Sequence, residues 1–248
     1  MNIWAACREE ATFLTIEGAA VRIVESQERV ATNSLVDSLS EQSLLEEIIE
    51  RSKPLLPANT EELHYLLSTP FRYPPLPRGS RFGRRFEPSL FYSSQKLTTA
   101  LSEAAYYHFV FWSGMESPPP SSRLMTQHTV FAAHHKAVTG LQLQHLPFAS
   151  YGKFLTDPGD YAVTQQLGSA MRAAGVSAFE YISARDPHEG TNVALYTPDV
   201  FTNNEPLYQQ PWLCETRTDK VTFSGQNAVY QFSLDNYLFD GRFPQPAL

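Results

Sequence analysis

The chain has 248 residues, 42% of them hydrophobic and 18% charged, and a formal net charge of −7. This composition excludes a disordered polymer and leaves one large domain or a domain with a sizeable extension. The acidic balance argues against wholesale binding to nucleic acid or to an anionic membrane, so any basic surface has to be local. Cys7 and Cys214 are too few for a disulfide framework, show no metal spacing, and read as free thiols of a reducing compartment. The opening MNIWAACREEATFLTIEG has neither the basic start nor the long apolar core of a secretion signal, and no apolar run is long enough to span a bilayer. A cytoplasmic location away from any membrane is expected.

In chain order, residues 1–60 are predicted to be mostly helical, an extension packed on a main domain of residues 61–248. Leu35, Leu39, Leu44, Leu45, Ile48 and Ile49 follow a helical stripe, with Glu41, Glu46, Glu47 and Glu50 on other faces. Ser40 with Glu41 marks the helix start, and Pro54 and Pro57 its end. The stripe faces either the protein's own sheet or a partner, and the first is the commoner use of such a helix. Before it, Ala20–Val24 reads as a short strand carrying Arg22.

A second short helix near Thr60–Leu67 leads into a loop stiffened by Pro70, Pro74, Pro75 and Pro77, which forbid regular helix. Arg72, Arg78, Arg81, Arg84 and Arg85 crowd into this loop, punctuated by Gly79 and Gly83. Ser89–Ser93 reads as a buried strand, and Ser93 or Ser94 caps a helix from Lys96 to Trp112. On that helix Leu97, Leu101, Ala104, His108 and Phe111 share a face, which puts Glu103 at its margin beside Ala100 and Tyr107.

After the SPPPSS loop at residues 117–122, His128–Leu146 reads as extended structure interrupted near Gly140. Adjacent residues on a strand point to opposite faces, so His134 and His135 do not share a metal, and no metal site is expected. Asp157 or Asp160 starts a further helix that Gly175 ends. Strands follow at Ser177–Ile182 and Asn192–Tyr196, and Lys220–Phe223 with Val229–Phe232 forms a hairpin. Strands and helices mix without a βαβ rhythm, which predicts an α+β fold: mixed or antiparallel sheets with flanking helices.

The arginine loop carries the chemistry. A guanidinium donates two parallel hydrogen bonds to phosphate oxygens, and stiffening by proline lowers the entropy lost on gripping a ligand. Arg81, Tyr92 and Glu103 follow at eleven-residue intervals, with Arg72 upstream and Ser183-Ala184-Arg185 far downstream. In this order and spacing the chain resembles the RES family over about residues 65–200. Arg72 in Phe71-Arg72-Tyr73 resembles that family's first arginine, with Arg22 a lower-ranked rival. Arg81 resembles the arginine of the usual Gly-Gly-Arg-Trp-Asn, although Ser80, Phe82 and Gly83 stand where Gly, Trp and Asn are common. Tyr92 resembles the tyrosine closing the short strand, Glu103 the helical glutamate, and Ser183 the serine ending a later strand. Some members use a hydroxyl on the preceding helix instead, and Thr164 is then the candidate.

The resemblance implies a fold related to the bacterial ADP-ribosyltransferase toxins and a toxin that cleaves the nicotinamide–ribose bond of NAD. NAD is then substrate rather than prosthetic group, and phosphate a co-substrate, with water as the other small acceptor. Glu103 and Tyr92 are the expected catalytic residues, while Arg72, Arg81 and Ser183 or Thr164 bind NAD. The implied partner is an Xre-type antitoxin that occludes the site, with no direct contact to nucleic acid; a homo-oligomer stays open. Two other classes remain, a protein ADP-ribosyltransferase and a non-catalytic protein that has kept the NAD-binding fold.

Overall fold

The sheet begins earlier than the sequence pattern suggests. In a computed structural model describing residues 1–26 and 36–245, a five-residue helix α1 (Ile3–Cys7) leads into β1 (Leu14–Glu25). The strand pairs antiparallel with β3 (Leu124–Gln142) from Leu14↔Gly140 to Glu25↔His128. Residues 1–60 are therefore not a helical extension, because they supply a strand inside the main sheet. Alternation is blurred in β1: Ala20 and Val21 are both buried, on opposite faces of the strand.

β3 runs through Gly140 without a break. One edge stays with β1, while the other changes partner from β6 (Tyr208–Thr216) to the parallel β4 (Ala178–Ile182). Gly140 permits this, since a Cβ there would stand 2.6 Å from the Ile16 side chain, where the β1 register shifts. Antiparallel β5 (Thr191–Leu195) links β4 to β2 (Phe91–Ser94), and β2 returns to β1 at Val21↔Ser94. The five strands β1, β2, β5, β4 and β3 thus close on one another, and β7 (Lys220–Gly225) and β8 (Ala228–Ser233) extend the sheet beyond β6. One parallel pairing among antiparallel ones, with flanking helices, makes the fold α+β.

Helix α2 (Leu39–Ser52) is capped by Ser38, whose side chain accepts from the Glu41 amide, two residues before the expected start. It buries none of its residues, and Leu39, Leu44 and Ile48 are exposed; Leu35 lies outside the described residues. α3 (Tyr65–Arg72) continues through Pro70 and ends where Tyr73, ahead of Pro74, turns extended. α4 (Leu97–Ser113) takes no side-chain cap from Ser93 or Ser94, and buries Leu101, Ala105 and Phe109 in a core shared with Val221 and Phe223 of β7. The short α5 (Gly152–Leu155) and α6 (Ala162–Ala173) cover Phe179 of β4 through Leu155, Leu167 and Met171. No helix among the described residues is long and apolar enough to cross a membrane.

Candidate active site

Each side chain of the site is aimed by a separate piece of this framework. Phe82 anchors the arginine loop: it is fully buried, with Phe179 and Tyr181 rings edge-on at 4.8 Å. Its main chain presses on α6 so closely that a Cβ on Gly168 would fall 1.8 Å from the Phe82 carbonyl oxygen. Gly168→Ala is therefore expected to cost about 3 kcal/mol by overpacking, read as a lower melting temperature. Gln165 Nε2 donates to the carbonyls of Arg78 and Ser80 at 2.9 and 3.0 Å, holding the loop from the same helix.

Tyr92 fastens the loop from β2. Its hydroxyl accepts from the Phe82 amide at 3.1 Å and shares a hydrogen with Ser80 Oγ at 2.8 Å, while its carbonyl accepts from Arg22 Nη1 at 2.6 Å. Burial pushes the phenol up to about 12, partly offset by these bonds, so it stays neutral. The Tyr92 hydroxyl is thus already committed to holding the loop.

Arg22 projects from β1 over the Phe91 ring, 5.0 Å from its centroid. Its Nε is buried without a hydrogen-bond partner. Burial lowers its pKa to about 10, so it remains charged at neutral pH. A buried donor left unpaired costs about 1–3 kcal/mol, which an anion placed against it would recover. Arg81 lies over the Tyr161 ring at 4.5 Å, its Nη1 donating to the carbonyls of Leu155 and Asp157. Arg185 is buried over Tyr106 and donates to the Pro158 carbonyl and the Tyr161 hydroxyl.

Glu103 faces these guanidiniums from α4. Its Oε1 accepts from Ser183 Oγ at 2.6 Å and from Asn192 Nδ2 at 2.7 Å, and Asn192 is itself held by Ser94. Ser183 Oγ accepts in turn from the amides of Arg185 and Asp186. This fixes the carboxylate before any ligand arrives. Removing the serine hydroxyl deletes a charge-assisted bond of about 1.5–3 kcal/mol. Ser183→Ala is accordingly expected to lower kcat at least about tenfold with little change in KM, measured by steady-state kinetics.

A cavity of about 290 Å³ is lined by Arg22, Arg81, Glu103, Tyr161, Arg185 and Asn192 among others, with Glu103 the one carboxylate among its described lining residues. A larger cavity of about 740 Å³ adjoins it through Arg22, Ser80, Tyr92, Tyr107 and Tyr161. Proline-rich chain and Tyr65, Tyr73 and Leu76 line the larger one. An excess of guanidinium over carboxylate suits a diphosphate, and the apolar neighbour suits a ring.

Of the residues predicted from sequence, Arg81, Tyr92 and Glu103 meet here. Arg72 does not line either cavity: it donates to the Pro54 carbonyl at 2.6 Å and pairs with Glu50 at 2.7 Å. Arg22, ranked below it, lines both. Thr164 is fully buried and donates to the Tyr161 carbonyl, and Ser183 lies behind Glu103 rather than on the cavity wall. Asn192 and Tyr161 were missed, and neither carries a local signal. Arg185 stood inside the Ser183-Ala184-Arg185 motif and was given no role.

The family model described as the RES domain matches residues 56–216. No curated protein matches the chain. A chain in the crystal structure of the M. tuberculosis MbcT-MbcA toxin-antitoxin complex is similar in shape, with a TM-score of 0.48 and 7% identity over 93% of this chain and 92% of that one.

Proposed function

Since the chain belongs to the RES domain family, we propose that it is a toxin-like enzyme that takes NAD as substrate and cleaves its nicotinamide–ribose bond. The observation that carries this reading is the pre-fixed Glu103 carboxylate in a cavity whose other charged lining residues are Arg22, Arg81 and Arg185. As the bond breaks, its electron pair leaves with the nicotinamide nitrogen and positive charge develops on the ribose. A carboxylate beside that sugar stabilises the charge, and does so more strongly where water is excluded.

Arg22 and Arg81 clamp the pyrophosphate, with Arg22 taking the role that the family resemblance gave to Arg72. Tyr92 and Ser183 position other groups: Tyr92 holds the loop of Arg81 and the guanidinium of Arg22, and Ser183 holds Glu103. The aromatic and proline walls of the larger cavity accommodate one of the two nucleoside halves. An oxygen of inorganic phosphate then bonds to the ribose carbon that nicotinamide left, giving a phosphorylated ADP-ribose; with water as acceptor, ADP-ribose and a proton are formed.

On the same reading, a cell making this enzyme needs an inhibitor, and an Xre-type antitoxin inserting an acidic group among the arginines would occlude the cavity. NAD labelled in its adenylate half distinguishes the acceptors. Label in a small molecule whose yield rises with added phosphate supports phosphorolysis, and label in protein supports ADP-ribosylation instead.

A further inference from the structure

Five residues beyond Glu103 on α4, His108 meets His128 of β3 and Cys214 of β6. One ligand atom from each, two imidazole nitrogens and the thiol sulfur, all lie within 4.8 Å of one another. None of the three lines either cavity described above. Spacing along the chain hides this cluster, because three elements far apart in sequence deliver one residue each. The strand register brings them together: Thr126 stands opposite Cys214, and His128 lies two residues along from Thr126 on the same face.

We propose that His108, His128 and Cys214 bind a single zinc-class divalent cation, with a water or the Thr126 hydroxyl completing four ligands. Two imidazoles and a thiolate are the donors that select zinc over magnesium or calcium. Two threonine hydroxyls hold these donors in place. Thr216 Oγ1 lies 3.0 Å from His108 Nδ1, and Thr126 Oγ1 lies 2.8 Å from His128 Nε2. Both hydroxyls also reach the Cys214 sulfur. The Val24 backbone bonds to the His128 ring as well and helps to hold it; for Nε2 to bind the ion, the Thr126 hydroxyl gives up its bond to that nitrogen and turns aside or becomes the fourth ligand. The Phe223 ring closes the pocket, 5.7 and 5.9 Å from the two imidazoles.

The ion displaces the proton of the Cys214 thiol: one metal–sulfur bond forms and one proton leaves to solvent. The result is a staple tying α4, the helix that carries Glu103, to β3 and β6. A bound ion then adds to stability by mass action.

The test uses full-length protein stripped with chelator and titrated with Co²⁺ as a spectroscopic probe. The expected result is uptake of one equivalent, with visible tetrahedral bands and a thiolate-to-cobalt charge-transfer band, and displacement by Zn²⁺ with a raised melting temperature. Cys214→Ser should abolish the charge-transfer band and weaken uptake by at least about 10- to 100-fold, while Cys7→Ser leaves the band in place. Absence of the band from the wild-type protein overturns the proposal, whether or not the variants fold. So does a folded Cys214→Ser protein that still shows the band.

Discussion

Glu103→Gln is expected to slow nicotinamide release from NAD by about 100- to 1,000-fold while leaving the protein folded. The substitution preserves shape. With its carbonyl oxygen turned to Ser183 and Asn192, the new amide keeps both hydrogen bonds that Oε1 now accepts. What it removes is negative charge at the point where the ribose becomes cationic, and the adjoining Arg22, Arg81 and Arg185 offer nothing to replace it. The expected signature is a fall in kcat, an unchanged melting temperature, and NAD binding as tight as before or tighter, because a carboxylate no longer opposes the phosphates. A folded Glu103→Gln protein with wild-type turnover would remove Glu103 from the chemistry.

The second large effect separates two arginines that sequence order had ranked the other way. Arg22→Lys is expected to weaken NAD binding by about 10- to 100-fold, the worth of a charge-assisted hydrogen bond pair that an ammonium cannot reproduce. Lysine at this position would also give up contact with the Tyr92 carbonyl and the Phe91 ring, so the melting temperature has to be measured beside the affinity. Arg72→Lys should leave affinity within about twofold, since Arg72 lines neither cavity and an ammonium there keeps the pairing with the exposed Glu50 carboxylate. Calorimetry showing Arg72→Lys as the weaker binder would return that phosphate role to Arg72.

That reversal marks where the sequence stops being informative. Strand β2 and helix α4 were legible because their patterns are local. The placing of Glu103 beside Ala100 and Tyr107 followed from helical geometry alone, and all three line the smaller cavity. The α+β class followed from the irregular alternation of elements. Closure of β1 onto β2 and β3 is a long-range event, and it brings Arg22 to the cavity that Arg81 also lines. No spacing rule in the chain encodes it. β1 itself was only partly legible, because burial on both of its faces at Ala20 and Val21 erases period-two alternation.

Strand β6 was hidden by Gln209-Gln210-Pro211, an unlikely-looking run for the middle of a sheet. Pro211 is tolerated because it pairs only with β3; β7 joins β6 from Leu213 onward. The acidic helix α2 shows the converse failure. Its stripe of leucines and isoleucines predicts a core-facing helix, yet it buries no residue, and Arg72 ties it to α3 through Glu50. Ser183 was expected to contact NAD because the family resemblance implies it. Its hydroxyl instead joins the Glu103 carboxylate to the amides of Arg185 and Asp186, a role that becomes visible only when β4 and α4 are side by side.

The most direct measurement is the fate of NAD incubated with the purified full-length protein, followed by chromatography with and without inorganic phosphate. The account predicts release of free nicotinamide in step with loss of NAD, faster when phosphate is present, and abolished in Glu103→Gln. NAD recovered intact from folded wild-type protein under both conditions would contradict it, and would leave the arginine-lined cavity a binding site without chemistry.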